Sequence, residues 1–177
     1  MSLRDITKDL HTDAERTLFA KKLVTGALTT EEYANYLWQM VLVYNGIEVA
    51  ANSQGMLKNL PDIERAHKIY QDCIELVGPH HQLRWLTVTV EYYQYLLALN
   101  YSDRKHLIKA HLYCRHMGDL FGGQMIAKKV PGQGRFYQFK DSEALKAAIR
   151  AELTDDLGDE ARVAFEWSIK LMKALNT

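Results

Sequence analysis

The chain reads as an all-α protein, a single-domain bundle of about seven to eight helices. Apolar residues recur at three- and four-residue spacing along almost its whole length. Only three prolines, Pro61, Pro79 and Pro131, interrupt that pattern. The 177 residues suffice for one core, and 47% apolar with 25% charged residues is an ordinary globular balance, so residues 1–177 are expected to form one domain.

The elements follow in order. Leu3, Ile6, Leu10, Ala14 and Leu18 mark one face of a first helix that ends near Thr25 and Gly26. Thr29 and Glu32 form a capping box for a second, running through Tyr33, Leu37, Val41 and Tyr44 toward Ala51. Residues 52–59 are a loop, and Pro61 falls in the first turn of a helix reaching Val77, which Gly78 and Pro79 stop. Val88, Thr89 and Val90 suit a strand, but the length of residues 83–99 and the spacing of Leu86, Val90, Tyr93 and Leu97 favour helix. Ser102 caps the next helix, which runs through Ala110 and Arg115 into a glycine-bearing stretch at Gly118. Residues 131–134 are a loop, residues 136–139 are extended, Ser142 starts another helix, and the last covers residues 159–175.

Twenty-two basic residues balance twenty-two acidic ones, which excludes an overall field drawing the protein to nucleic acid or an anionic membrane surface. Cys73 and Cys114 lack metal-ligand spacing and read as small apolar core residues. The start of the chain carries charges from Arg4 onward, unlike a secretory signal, and no apolar run nears the roughly 18 to 20 residues of a membrane span. The expected setting is cytoplasmic, without membrane contact.

Two constellations carry chemistry. His11 and Glu15 stand four apart on one helix, an arrangement that fits a metal-ligating imidazole oriented by a carboxylate but is more commonly a surface ion pair. Arg4 and Lys8 lie broadly on the same side, as partners for anionic groups or as a solvated face. The second constellation is residues 111–124, where Gly118, Gly122 and Gly123 sit in a helical context at a cost of about 0.8 to 1.0 kcal/mol each relative to alanine. A kink, or the close approach of a backbone or flat ligand, offsets such a cost; a loop between helices is the alternative. Asp119 sits among these glycines. No lysine-serine or lysine-threonine pair follows them, so a phosphate loop is disfavoured.

The run Ala110-His111-x-Tyr113-x-Arg115-x-x-Gly118-Asp119-Leu120-x-Gly122-Gly123-Gln124 resembles the distal-helix signature of heme oxygenases. Leu10-His11-Thr12-x-Ala14-Glu15, about 100 residues earlier, resembles their proximal segment. The resemblance implies heme b, at once substrate and cofactor, sandwiched between the first helix and a kinked glycine-rich distal helix. His11 is then the proximal iron ligand and Glu15 its partner. Arg4, Lys8, Lys146, Arg150 and Tyr113 fall near the heme propionates, and Phe165 lines the pocket. Asp119 anchors a distal water network supported by Arg115, Tyr44 and Tyr93, while Gly118 and Gly122 bring the backbone over the ring.

The implied reaction uses O2 and electrons from an external donor, ferredoxin or a reductase, to convert heme to biliverdin, the IXα isomer, with carbon monoxide and ferrous iron. A monomer is implied. Ser168 departs from the family, several members of which have asparagine there, and Phe121 replaces a smaller residue, either narrowing the pocket or pointing away from it. The chain is also short near residues 52–60 and 131–136. These departures keep open a heme-binding or trafficking protein without catalysis. A thiaminase-like hydrolase using Cys73 or Cys114, and a di-iron oxidase, are further readings on a similar scaffold. Should His11 not hold iron, His106, His111 and His116 are next.

Overall fold

The computed structural model describes residues 2–176, which hold nine α-helices, three short 3-10 turns and no strand. The helices are α1 (Leu3–Arg16), α2 (Leu18–Thr25), α3 (Thr30–Ser53), α4 (Ala66–Val77), α5 (Thr87–Asn100), α6 (Ile108–Phe121), α7 (Gly123–Ile126), α8 (Ser142–Ala151) and α9 (Gly158–Ala174). The count exceeds the expected seven to eight because two expected helices are each divided.

The first division falls at Thr17, whose extended backbone (ψ 147°) ends α1. Its hydroxyl accepts from Ala20 N and donates to Ala14 O, so a single side chain closes one helix and opens the next. The break resets the helical phase. Leu18, expected on the buried face, is exposed, and Phe19 and Leu23 carry the apolar side of α2 instead. Gly26 in the left-handed conformation ends α2 as expected. The second division, at Gly122, separates the distal helix α6 from the one-turn α7.

α3 is the central element. The Thr29–Glu32 capping box starts it, and Tyr33, Leu37, Met40, Val43, Tyr44 and Ile47 are buried along it, packed against α4, α5 and α6. α5 is a helix rather than a strand, but its buried stripe is Thr89, Tyr92, Leu96 and Leu99. Val90, Tyr93 and Leu97, taken from spacing as the inward face, are only half-buried.

Three joints differ from expectation. Pro61 does not open α4; it enters a turn in which Asp62 has φ +64° and Arg65 is wholly buried. The Arg65 guanidinium donates to the carbonyls of Asp62, Ile63, Phe136 and Gln138, which holds residues 62–65 out of the helix. Residues 136–139 are not a strand either, since Arg135–Tyr137 forms a 3-10 turn. The Asp72 carboxylate takes Phe136 N and the Arg135 side chain, and the Phe136 and Tyr137 rings stack inside. Ser102 does not cap α6; its hydroxyl accepts Arg104 N just ahead of the 3-10 turn Lys105–Leu107, whose own N-cap, Arg104, makes no side-chain capping bond.

α9 packs against both α1 and α6 and so sets the two apart. Arg162 of α9 clamps the Asp9 carboxylate with two bonds of 2.8 Å and reaches Ile6 O at 2.7 Å, drawing the Asp9 pKa down to about 2. Thr17→Ala is expected to lower the unfolding free energy by about 1 kcal/mol through loss of the α2 cap. Urea titration checks this, and an unchanged midpoint would mean that the break at residue 17 is held by packing alone.

Candidate functional site

α1 buries Leu3, Thr7 and Ala14, which leaves His11 on a solvent-facing side, with 57% of its side chain exposed. Its ring edge meets the half-buried Phe165 of α9, with centroids 5.7 Å apart. His11 Nδ1 stands 3.5 Å from Glu15 Oε1, and no described side chain takes Nε2. The ring is thus oriented from one side and open on the other, as a ligand must be.

The distal helix presents the opposite character. Asp119 is buried, and its Oδ2 accepts the Tyr44 hydroxyl at 2.6 Å. Burial pushes its pKa from 3.8 to about 7, against the pull of His116, the Tyr44 hydrogen bond, Arg115 and Arg65. Tyrosines surround it: burial and the Asp119 charge raise Tyr44 well above its ordinary value, and they take Tyr36 to about 12. These hydroxyls therefore act as donors, not as anions.

One turn before Asp119, Arg115 is buried over the Tyr92 ring at 5.7 Å. Its Nη1 lies 3.9 Å from the Met40 sulfur, and Nε and Nη2 make no hydrogen bond of ordinary geometry among the described residues. Orphaned guanidinium donors in an interior call for an acceptor from outside the chain. Gly118 is exposed, and a Cβ built there would meet nothing within 4 Å, so the α6 backbone faces open space beside Asp119. Gly123 has the reverse reason: a Cβ there would lie 2.5 Å from the Tyr137 ring. Gly122 separates α6 from α7.

The expected anion partners gather in part. The Arg150 and Arg4 charges both act on the Tyr113 hydroxyl, which burial and Cys114 raise and they lower. Lys146 is held by Glu143 at 2.7 Å. Phe121 is exposed and points to α8, where the Lys146 ammonium and the Arg150 guanidinium lie over its ring at 4.4 and 5.2 Å. It does not narrow the space over Gly118. Lys8 borders instead a groove with Asp5, Asp9 and Asp13 on the outer side of α1.

One position differs from the arrangement implied by sequence, and the departure at Ser168 takes a definite form. Tyr93 packs on Gly46 of α3, and its neighbour Tyr92 is the tyrosine that reaches Arg115. The α5 phase accounts for this, since Tyr92 belongs to the buried stripe. Ser168 donates back to Ala164 O at 2.9 Å, so the hydrogen bond to Asp119 comes from Tyr44. Sequence reading also missed Tyr36, Tyr137 and Glu48; hydroxyls on the inward face of α3 are the signal that would have pointed to Tyr36.

Other candidate groups are occupied. His111 bonds Tyr92 and Glu160, and His116 bonds Glu48 and Leu112 O, so neither ring is open to a metal. Burial raises the Cys73 and Cys114 thiols to about 11 and about 12, which argues against a cysteine nucleophile. No group of three or more His, Cys, Asp or Glu among the described residues is arranged to hold a metal ion, and none of the described helices is long and apolar enough to cross a membrane.

Residues 1–174 match the family model described as heme oxygenase. Heme oxygenase 1 of the cyanobacterium Nostoc is 28% identical over 98% of this chain and 84% of its own, and that of Bos taurus 26% over 98% and 70%. Among solved structures, heme oxygenase-1 from Synechocystis in complex with heme superposes with TM-score 0.87 at 24% identity, covering 98% of this chain and 90% of that one. The heme oxygenase of Leptospira interrogans gives 0.83 at 24%, covering 98% and all of its chain. Both share the fold described above.

The raised Asp119 pKa has a consequence for stability. Between about pH 4 and 7 the folded chain holds a proton that the unfolded chain has lost, so this group's contribution is most favourable below its ordinary pKa of 3.8 and declines as pH rises to about 7. Asp119→Asn is expected to stabilise the ligand-free protein by a few kcal/mol at pH 7.5 and to flatten its pH dependence between 4 and 7. Denaturant midpoints across that range check this; parallel curves for the two proteins would refute it.

Proposed function

Because the chain belongs to the heme oxygenase family, we propose that it opens heme oxidatively to biliverdin, releasing carbon monoxide and iron, with the IXα isomer as product. The observation that carries this reading is the buried Asp119 carboxyl, held by Tyr44 beside the bare Gly118 backbone, while an open imidazole stands on α1. Heme, when bound, supplies the iron that takes O2 and electrons, and its own ring is what becomes oxidised.

The chain's residues divide the remaining work. His11 Nε2 holds the iron, with Glu15 fixing the ring through Nδ1 and Phe165 bracing its edge. Arg4, Tyr113, Arg150 and Lys146 would hold the propionates, offering three cations and a hydroxyl to two carboxylates. Open space over Gly118 admits a flat group against the helix. With Oδ2 taken by Tyr44, Asp119 is left Oδ1 to exchange a proton with a relay water, and a pKa of about 7 lets it give and regain that proton at neutral pH. The orphaned Arg115 donors hold the same water network in place.

This reading assigns the electrons to an external donor, a ferredoxin or a reductase, and treats the chain as a cytoplasmic monomer. A heme carrier without catalysis would need the His11 side of the site but gains nothing from a buried acid near neutrality. Asp119→Ala is expected to keep heme affinity while losing about 100-fold or more in biliverdin formation, and His11→Ala to alter the heme absorption spectrum and abolish turnover. Heme titration and pigment chromatography after donor-driven turnover read both. Normal biliverdin yield from Asp119→Ala would remove that residue from the reaction, and wild-type protein that binds heme yet stays red-brown with reductant and O2 would establish the carrier.

A further inference from the structure

His116 lies three residues before Asp119 on α6, fully buried, and takes no part in the reaction assigned above. Its two ring nitrogens both face acceptors. Nδ1 stands 3.2 Å from the Leu112 carbonyl, which can only accept, so Nδ1 carries a proton. Nε2 stands 3.0 Å from Glu48 Oε1. The protonation of Glu48 therefore decides that of His116.

Glu48 reaches from α3 to the start of α4. Its Oε1 accepts Arg65 N at 2.5 Å and its Oε2 accepts Ala66 N at 3.1 Å. Arg65 is the residue preceding α4 and has no side-chain cap of its own. The carboxylate of Glu48 thus caps α4 from another helix, its two oxygens taking backbone N–H groups at the positive end of the helix. An ionised Glu48 offers Nε2 only lone pairs. His116 must then donate from both nitrogens.

We propose that His116 is a buried imidazolium, fixed by the helix-capping carboxylate of Glu48, and that this charge is the positioning element for the Asp119 carboxyl one turn along α6. The proposal rests on the reading of Asp119 as the distal acid. A buried ion pair is weak evidence for stability, because desolvation cancels most of its attraction, so stability alone does not explain this one beneath the site. Geometry gives the pair an object. His116 and Asp119 are separated by one helical turn, and the Tyr44 ring that bonds Asp119 lies 5.0 Å from the His116 ring.

The other groups facing Asp119 are Arg115 on α6, Arg65 before α4, Tyr33, Tyr36 and Tyr44 on α3, and Tyr137 in the 3-10 turn. Only two of these are cations. His116 stands one helical turn from Asp119 on the same helix, with the Tyr44 ring beside both. Nothing in the family signature marks this residue, since the signature leaves its position open between Arg115 and Gly118.

The test uses the full heme-free chain labelled with 15N and 13C. Both His116 ring nitrogens are expected to resonate as protonated nitrogens at pH 7.5; a bare-nitrogen resonance from either overturns the proposal without any variant. Glu48→Gln and His116→Gln, which keep hydrogen-bonding side chains in place, are each expected to raise the titration midpoint of the Asp119 carboxyl carbon by about one pH unit. The pH profile of biliverdin formation is expected to move by the same amount, a readout that a merely structural pair would leave unmoved. Unshifted midpoints in folded variants overturn the tuning role. The two readings fail separately: a shifted midpoint with normal biliverdin yield from Asp119→Ala removes the distal acid and leaves the charge coupling, whereas an unshifted midpoint with an inactive Asp119→Ala does the reverse.

Discussion

A carboxyl group kept inside the protein, away from water yet not neutralised by an adjacent ion pair, constrains much of the structure around it. Asp119 has one direct hydrogen bond, from Tyr44, and the groups that moderate its charge stand one layer further out. The phase of α3 follows from this. The stripe that packs against α6 must deliver Tyr44 to the carboxyl and Glu48 to His116, one turn apart, while Tyr36 closes the other side. That helix is buried on most of its circumference because it faces the site on one side and packs against α4 and α5 on others.

The proximal side is built on the opposite principle. α1 is held by apolar contacts to α9 and by the Arg162 clamp on Asp9, so His11 needs no buried partner and remains exposed. α9 separates the two halves of the site and contributes Phe165 to one of them. A flat substrate between α1 and α6 would therefore meet an oriented but solvated imidazole on one side and a bare backbone with a buried acid on the other.

The helices were legible in the sequence because their apolar faces repeat every three to four residues and their caps are local, as with Thr29 and Glu32. The joints were not, because long-range side chains make them. Nothing near Pro61 announces that Arg65 will seek carbonyls of residues 136 and 138, or that the cap of α4 will come from Glu48. The site showed the same division. His11, Asp119 and the glycines stand in local motifs. Tyr92 and Tyr93 are adjacent, so choosing between them required the helical phase, which Val88, Thr89 and Val90 obscured. Phe121 required a partner on α8 that no motif connects to it.

Arg65 also bears on the order in which the molecule assembles. Its guanidinium bonds Gln138 across a sequence separation of 73 residues, while its backbone N–H is held by Glu48. Closing a loop of that length is entropically unfavourable until the intervening helices are in place, so the knot is expected to tighten late, after α3, α5 and α6 have associated. The Glu48 carboxylate is completed by the same event. A nascent chain would thus acquire its helices and much of its core before the electrostatics beneath the distal helix exist, and chemical competence would be among the last properties to appear on folding.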